Sequence, residues 1–335
     1  MFVLPTEVQL DVLKCINFTH LFSFKLTNYY LYNLINKYEG GLARMKFNSF
    51  TFINGNPTLI LHDIIELKSG VFKLTLSDQL KNKWQAAIDR SIPLFLHEFK
   101  FDRTFVCISK VDKKTKSLLL KLPTFPKNIE EMITVRCWLE HLFRCAIVGA
   151  YIDTTIFNPE MINILFDNDK TIPLRFNCQS LLVIAHNKIF ENVLKFVLNH
   201  LTIYKLFNIS FCDVNNTEHH RNILFNILIN EANRLPQIRL QSSNLSRLYD
   251  SIIKYITTSK DCSKMVPVII FYFSSSDSSR FKFSERAEKI EIVRLDNKTH
   301  TNYQISNIYN PNVKFALCNE EWNWRINSCI HIRKI

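Results

Sequence analysis

The residues whose types and spacing could support chemistry lie mainly in one short stretch. Cys137, His141 and Cys145 recur every four positions, so on a helix their side chains would share one face. Thiolate sulfur and imidazole nitrogen are common zinc ligands, but a site on a single helix would need a fourth ligand from elsewhere. Cysteines flanked by leucine and phenylalanine are typical core residues. We therefore interpret these three as part of a buried helix face rather than a metal centre.

The sequence contains no recognisable catalytic motif. His219 and His220 are adjacent, but no HExxH pattern, Cys-His-Asn signature or carboxylate cluster accompanies them, and we interpret them as exposed residues at a helix start. The 5 glycines form none of the GxGxxG, GxxxxGK[ST] and GxSxG patterns, which argues against Rossmann, P-loop and α/β-hydrolase folds. The stretch SSSDSS, residues 274–279, is interpreted as a surface loop. We predict a non-enzymatic protein with no cofactor and no metal.

The elements nearest the amino terminus are predicted to be three short helices. Residues 4–35 read LPTEVQLDVLKCINFTHLFSFKLTNYYLYNLI, with apolar residues at helical spacing. Pro5 suits a first turn, Thr6 is a predicted cap, and Thr19 and Asn28 are predicted caps of the second and third helices. Three helices of this length cannot bury all their apolar residues among themselves. They must pack on the rest of the chain or on a partner.

The order of these residues resembles the F-box family. This chain has Leu-Pro, then Glu, then apolar residues one helical turn apart, a break, a leucine-rich second helix and a third helix that begins near Asn28. The F-box family has a similar order. The resemblance covers residues 2 to 48. It departs at two places: this chain has Lys25 where many F-boxes have arginine in the second helix, and Leu31 where they often have tryptophan in the third.

The resemblance implies an adaptor of a cullin–RING ubiquitin ligase of the SCF type. F-box segments dock on a Skp-type linker subunit while the remainder of the chain captures a protein target. Such an interface buries apolar anchors on a helix face. The residues implied as linker contacts are Leu4, Pro5, Glu7, Val8, Val12, Leu13, Ile16, Leu21 and Phe24.

The middle of the chain is predicted to be a mixed α/β region over residues 49–155. Two β-prone runs flank Asn54-Gly55, a dipeptide typical of β-hairpins. A helix over 78–88 would direct Trp84 inward, and strands are expected over 104–109 and 117–122. A further helix begins after Asn128, which is its predicted cap, with two glutamates in its first turn.

Residues 156–335 are predicted to repeat a strand and a helix. Four segments share the pattern apolar-x-x-apolar-x-apolar, and the first three are followed by Asn187, Asn215 and Asn244. Successive segments begin about 30 residues apart, with a helical stretch between them. This resembles a degenerate leucine-rich repeat, although the asparagine is one place late; an irregular α/β layer is the alternative. Helices are expected to be absent near the carboxyl end.

The predicted fold class is therefore α+β or α/β: a three-helix F-box over 1–48, the mixed region over 49–155 and βα repeats over 156–335. Two other functions stay open. One is an interaction scaffold whose N-terminal helices pack internally. The other is a nucleic-acid-binding protein, because 42 Lys and Arg against 30 Asp and Glu give a net charge of +12; these basic residues are scattered, which does not favour it.

The expected compartment is intracellular, cytoplasmic or nuclear. The 9 cysteines are odd in number and contain no CxxC, which is typical of a reducing environment. The amino terminus shows no secretory pattern. No uncharged apolar stretch reaches the ~18 residues of a membrane helix, so we expect no membrane partner.

Overall fold

The computed structural model describes residues 4–16, 18–38, 41–57, 62–66, 74–101, 103–110, 116–167, 172, 174–211, 218–242, 245–274, 284–295, 298–322 and 327–335. The helices are α1 (Thr6–Lys14), α2 (Phe18–Lys25), α3 (Tyr29–Lys37), α4 (Asp78–Asp89), α5 (Ile129–Phe143), α6 (Pro159–Phe166), α7 (Phe190–His200), α8 (Glu218–Asn230) and α9 (Ser246–Thr258). Among the described residues, no helix combines the length and the apolar composition needed to cross a bilayer.

Fifteen strands are present in the described part of the chain. They are β1 (Lys46–Asn54), β2 (His62–Glu66), β3 (Phe95–His97), β4 (Thr104–Lys110), β5 (Ser117–Lys121), β6 (Ala146–Ile152), β7 (Thr155–Phe157), β8 (Phe176–Ala185), β9 (Leu201–Phe211), β10 (Gln237–Ser242), β11 (Val268–Ser274), β12 (Glu288–Leu295), β13 (Lys298–Ser306), β14 (Lys314–Trp322) and β15 (Asn327–Lys334). The chain is thus a mixed α/β protein, as predicted.

The chain forms two compact units. The first comprises Met1–Leu94, Arg103–Val148 and Glu160–Asn177, and the second comprises Phe95–Asp102, Gly149–Pro159 and Cys178–Ile335.

The first unit contains four neighbouring strands that are hydrogen-bonded in the order β1-β4-β5-β2. β1 is antiparallel to β4, and β2 is parallel to β5. The β-hairpin predicted through Asn54-Gly55 is therefore wrong. Gly55 does adopt a left-handed φ of 81°, which glycine tolerates, but its N–H donates to the carbonyl of Arg103 at 3.0 Å. A turn signal specifies a local bend, and it does not choose the strand that pairs beyond it.

Two predicted helices of the first unit are confirmed, as is the predicted cap at Asn128, and the structure adds a cap at Ser77. The Ser77 hydroxyl accepts from the Leu80 N–H at the start of α4. The Asn128 side chain accepts from the Glu131 N–H at 2.9 Å, and the Glu131 carboxylate accepts from the Lys127 N–H at 2.8 Å. Such reciprocal bonds satisfy N–H groups that a helix start leaves without an intrahelical partner.

Trp84 of α4 points inward, as predicted, and its side chain is fully buried. Its indole Nε1–H donates to the carbonyl of Ile164 at 3.0 Å. The neighbouring Arg136 of α5 is also buried, donates to the Leu165 carbonyl at 2.9 Å, and lies over the Phe166 ring. These bonds satisfy carbonyls in the last turn of α6, where a cation is also favourable to the helix dipole.

The second unit contains a mixed sheet in the order β12-β13-β14-β15-β11-β10-β9-β8-β6, and a separate pair, β3 and β7. The predicted alternation of strands and helices is present: α7, α8 and α9 connect β8, β9, β10 and β11 in turn. β10 is parallel to both β9 and β11. Asn187 follows β8, whereas Asn215 and Asn244 lie outside the described residues.

The carboxyl-terminal part of the second unit is an antiparallel meander. β12 to β15 pair consecutively, and β15 pairs antiparallel with β11. No described residue after α9 is helical, so the predicted loss of helices near the carboxyl end is confirmed for that part of the chain.

We predict that Trp84→Ala lowers the free energy of unfolding by about 3–5 kcal/mol, because it removes a fully buried indole and leaves the Ile164 carbonyl without its donor. Urea unfolding followed by circular dichroism would measure this. The control is Gln85→Ala on the exposed side of the same helix. Equal effects of the two substitutions would contradict the packing described for Trp84.

Candidate docking surface on the N-terminal helices

A proline lies directly before the first helix. Thr6 is already helical, and Pro5 precedes it with φ −52° and ψ 149° and no side-chain cap hydrogen bond. The predicted cap at Thr6 is therefore wrong, and α2 begins at Phe18, one residue before the other predicted cap, Thr19. The predicted cap at Asn28 is confirmed, since its side-chain oxygen accepts from the Leu31 N–H at 2.9 Å.

The three helices share a small apolar core. Its buried members are Leu13, Leu21, Leu31, Leu34, Ile35 and Leu42. Ile16 and Phe24 are partly buried against it. Leu13 and Leu21, two of the implied linker contacts, thus lie inside the chain's own core, where they hold the helices together and offer no surface to a partner.

Other implied contacts lie outside. Leu4, Val8 and Val12 are each 43% exposed, and their spacing of four residues places Val8 and Val12 on one face of α1, in line with Leu4 just before it. We call these three residues the N-terminal ridge. Pro5 and Glu7 beside it are also exposed. The ridge is apolar and contiguous, and the part of the chain that the structure describes leaves it exposed.

A buried glutamine holds the ridge in place. Gln9 is 2% exposed, its Nε2 donates to the Leu4 carbonyl at 2.7 Å, and its Oε1 accepts from the Tyr30 hydroxyl at 3.0 Å. The first bond ties the residue before the helix to α1, and the second ties α1 to α3. Buried polar groups stabilise a structure only when they are bonded in this way.

The structure shows where the two residues that depart from the F-box pattern, Leu31 and Lys25, lie. Leu31 is buried in the helical core, while Tyr30 and Tyr32 on either side of it are exposed. Lys25 and Leu21 line a cavity of about 490 Å³ that lies wholly within the first unit, together with Trp138 of α5. The lysine therefore faces this cavity rather than the ridge.

The aromatic residues of α3 add a second exposed apolar area. Tyr29 is 78% exposed and Tyr32 is 48% exposed, and their rings stack with centroids 6.4 Å apart. Leu26, just after α2, is 73% exposed. Exposed tyrosines are frequent in protein interfaces, because a large rigid ring loses little conformational entropy on binding.

The cysteines and histidines that the sequence offered as possible metal ligands or catalytic residues contact the backbone or another side chain. His141 Nδ1 lies 2.6 Å from the Cys137 carbonyl, and the Cys145 thiol donates to the His141 carbonyl at 3.2 Å. Their ligand atoms do not all lie within 4.8 Å of one another. His219, at the exposed start of α8, pairs with Glu191 at 2.9 Å, and this hydrogen bond lowers the pKa of the Glu191 carboxyl.

Among the described residues, the structure brings together a group of potential metal ligands that the sequence did not predict. His300, Cys318 and Glu320 place an imidazole nitrogen, a sulfur and a carboxylate oxygen within 4.8 Å of one another. They lie on two different strands, β13 and β14, and 18 residues separate His300 from Cys318. The one sequence signal was a pair of i, i+2 spacings, Cys318 with Glu320 and Cys329 with His331, which place each pair on one face of a strand.

Comparison with known proteins gives a single partial match. Residues 65–212 match the family model described as "Domain of unknown function (DUF8381)". This segment is similar to that family and begins after the N-terminal ridge. No curated protein matches the chain. No solved structure matches it either.

We predict that Gln9→Ala lowers the stability of α1 by about 1–3 kcal/mol, because it leaves the Leu4 carbonyl and the Tyr30 hydroxyl without a protein partner. Hydrogen exchange of the α1 amides would measure this local effect. Tyr30→Phe removes only one of the two bonds and should produce a smaller change. Unchanged α1 protection in Gln9→Ala would show that the glutamine does not hold the ridge.

Proposed function

We propose that this chain is a non-enzymatic, intracellular substrate adaptor of an SCF-type cullin–RING ubiquitin ligase. In this proposal the N-terminal ridge docks on the Skp-type linker, and the C-terminal region binds a protein target. The proposal depends on the difference between two faces of the α1 region. Leu13 is buried in the helical core, whereas Leu4, Val8 and Val12 are exposed. An exposed, contiguous apolar patch is a feature of protein-binding surfaces.

The sequence order around the ridge supports this particular partner. Leu4 and Pro5 precede the first helix, Glu7 lies in its first turn, and α2 and α3 follow at the expected places. Of the residues implied by the F-box resemblance, five are exposed: Leu4, Pro5, Glu7, Val8 and Val12. These five form the contact surface of the proposal, whereas Ile16 and Phe24 are partly buried against the helical core.

The rigidity of the ridge also favours docking. Gln9 fixes the chain before α1 and joins α1 to α3, so little conformational freedom remains to be lost on binding. A preorganised surface binds more tightly than a flexible one with the same contacts. The stacked pair Tyr29 and Tyr32 provides rigid apolar surface on the neighbouring helix.

We propose that the second unit, which we interpret as leucine-rich-repeat-like, binds the protein target. Tyr249 of α9 contacts Phe271 and Tyr303, and Phe190 of α7 contacts Phe211. Leu240 of β10 is paired with Phe271 on one side and with Ile209 of β9 on the other. Phe211 lies two residues after Ile209 and so shares its face. Both helices therefore lie on the same face of the sheet.

The opposite face of these strands carries polar side chains. Register places Asn208 beside Arg239 and Ser210 beside Gln241, with Tyr272 next to Gln241 on β11. All five are only partly buried. A broad polar face with an aromatic residue suits capture of a protein segment, as in other stacked βα units.

The ridge is tested with a triple substitution, Leu4→Ala, Val8→Ala and Val12→Ala. We expect it to weaken binding to a purified Skp-type linker by about 2–4 kcal/mol, which is roughly 30- to 1000-fold, because buried apolar anchors carry most of an interface. Isothermal titration calorimetry would measure the affinity, and circular dichroism would verify the fold.

The matched control is Ile290→Ala, Ile292→Ala and Leu295→Ala on β12, three aliphatic residues that are 54%, 61% and 58% exposed. This control should bind the linker like the unaltered chain. The adaptor proposal fails if the unaltered chain does not bind the linker. It also fails if the ridge substitution leaves binding intact; unfolding by that substitution would favour a scaffold with internally packed helices.

A further inference from the structure

The antiparallel strands β13, β14 and β15 bring several potential metal ligands to one sheet face. In the register of these strands, His300 is opposite Glu320, and Cys318 is opposite His331. Cys329 of β15 is opposite Glu320 on its other side. Because directly opposed residues lie on the same face of a sheet, all five side chains point the same way.

These side chains form two adjacent rows across three strands. One row is Asn302, Cys318 and His331, and the other is His300, Glu320 and Cys329. The central strand β14 thus supplies Cys318 and Glu320 two residues apart. A histidine flanks the pair on each side, diagonally opposed: His300 is opposite Glu320 and His331 is opposite Cys318.

The distances between ligand atoms are close to those of a coordination sphere. His300 Nδ1 lies 4.0 Å from Cys318 Sγ and 3.9 Å from the Glu320 Oε1. His331 Nε2 lies 3.6 Å from the same Glu320 oxygen. In a tetrahedral zinc site, metal bonds of about 2.0–2.3 Å put neighbouring ligand atoms roughly 3.3–3.7 Å apart. The ligand atoms of His300, Cys318 and Glu320 all lie within 4.8 Å of one another, so these three need small movements, whereas the His331 ring must turn further toward them.

We propose that His300, Cys318, Glu320 and His331 bind one divalent transition-metal ion of the zinc class. Two imidazole nitrogens, one thiolate and one carboxylate form a mixed ligand set. Mg²⁺ and Ca²⁺ take oxygen ligands almost exclusively, so they do not suit it. Binding releases the Cys318 thiol proton to solvent, because the thiolate is the ligand.

The surroundings are compatible with entry of an ion from solvent. Cys318, Glu320 and His331 line an open cavity of about 580 Å³ in the second unit, whose lining also includes Glu291, Lys289 and Arg333. The side chains of His300 and Glu320 are 21% and 22% exposed, and that of His331 is 35% exposed. The ligands are thus held by the sheet but remain accessible.

Cys329 lies beside the cluster and is not one of the proposed ligands. Its Sγ lies 3.3 Å from His331 Nε2, the nitrogen assigned to the metal, and its side chain is buried. An ion bound at this nitrogen would replace the contact with the Cys329 thiol. Register also aligns the ring of His331 with Cys318 across the strand pair.

The test is a zinc titration of the full chain after metal removal, read by competition with a chromophoric chelator. We expect one equivalent of Zn²⁺ to bind. His300→Ala and Cys318→Ser should each weaken zinc binding by about 100-fold or more, the upper range known for supporting residues and a lower bound for ligands. The matched controls are His219→Ala and Cys15→Ser, which change exposed residues outside the cluster.

Cobalt(II) substitution gives an independent readout, since a thiolate ligand produces a sulfur-to-cobalt charge-transfer band. The band should be present in the unaltered chain and in Cys329→Ser, and absent in Cys318→Ser. Should a ligand variant fail to fold, the isosteric Glu320→Gln takes its place. The proposal is overturned if the unaltered chain binds no stoichiometric zinc, if the ligand variants bind it like the controls, or if the band is lost in Cys329→Ser but retained in Cys318→Ser.

Discussion

The burial of one face of each helix and strand is the constraint on which both candidate sites depend. On α1, Gln9 and Leu13 turn inward, and the helical period then places Leu4, Val8 and Val12 outward. On β14, Phe315 and Leu317 are buried, and the strand period of two then places Cys318 and Glu320 on the other face. In each case the apolar core decides which residues remain available for a partner or a ligand.

Polar bonds inside the molecule complete this arrangement. Gln9 joins two helices and the chain before them, and Trp84 and Arg136 donate to the last carbonyls of α6. In the second unit the buried hydroxyls of Tyr249 and Tyr303 lie 3.2 Å apart, and burial raises the pKa of both. Both tyrosines therefore stay neutral to a more alkaline pH than an exposed tyrosine does, and their pair joins α9 to β13 without a charge.

Linker binding and metal binding are proposed for different parts of the chain and involve different chemistry. The ridge lies in the first unit and would bind through apolar contact, whereas the cluster on β13 to β15 lies in the second unit and would bind an ion. Loss of zinc binding would leave the adaptor proposal intact, and loss of linker binding would leave the metal proposal intact. The segment similar to the DUF8381 family, residues 65–212, includes neither the ridge nor the cluster.

The sequence by itself determined the local elements: the three N-terminal helices, the cap at Asn128, the inward Trp84 and the alternation of strands and helices from β8 to β11. These follow from side-chain periodicity and short-range hydrogen bonds, which neighbouring residues specify. Only the tertiary structure decided that β1 pairs with β4, that Leu13 and Leu21 are core rather than surface, and that His300 meets Cys318 and Glu320. Strand pairing and register depend on contacts between residues far apart in the chain, and no local pattern encodes which distant residues share a face.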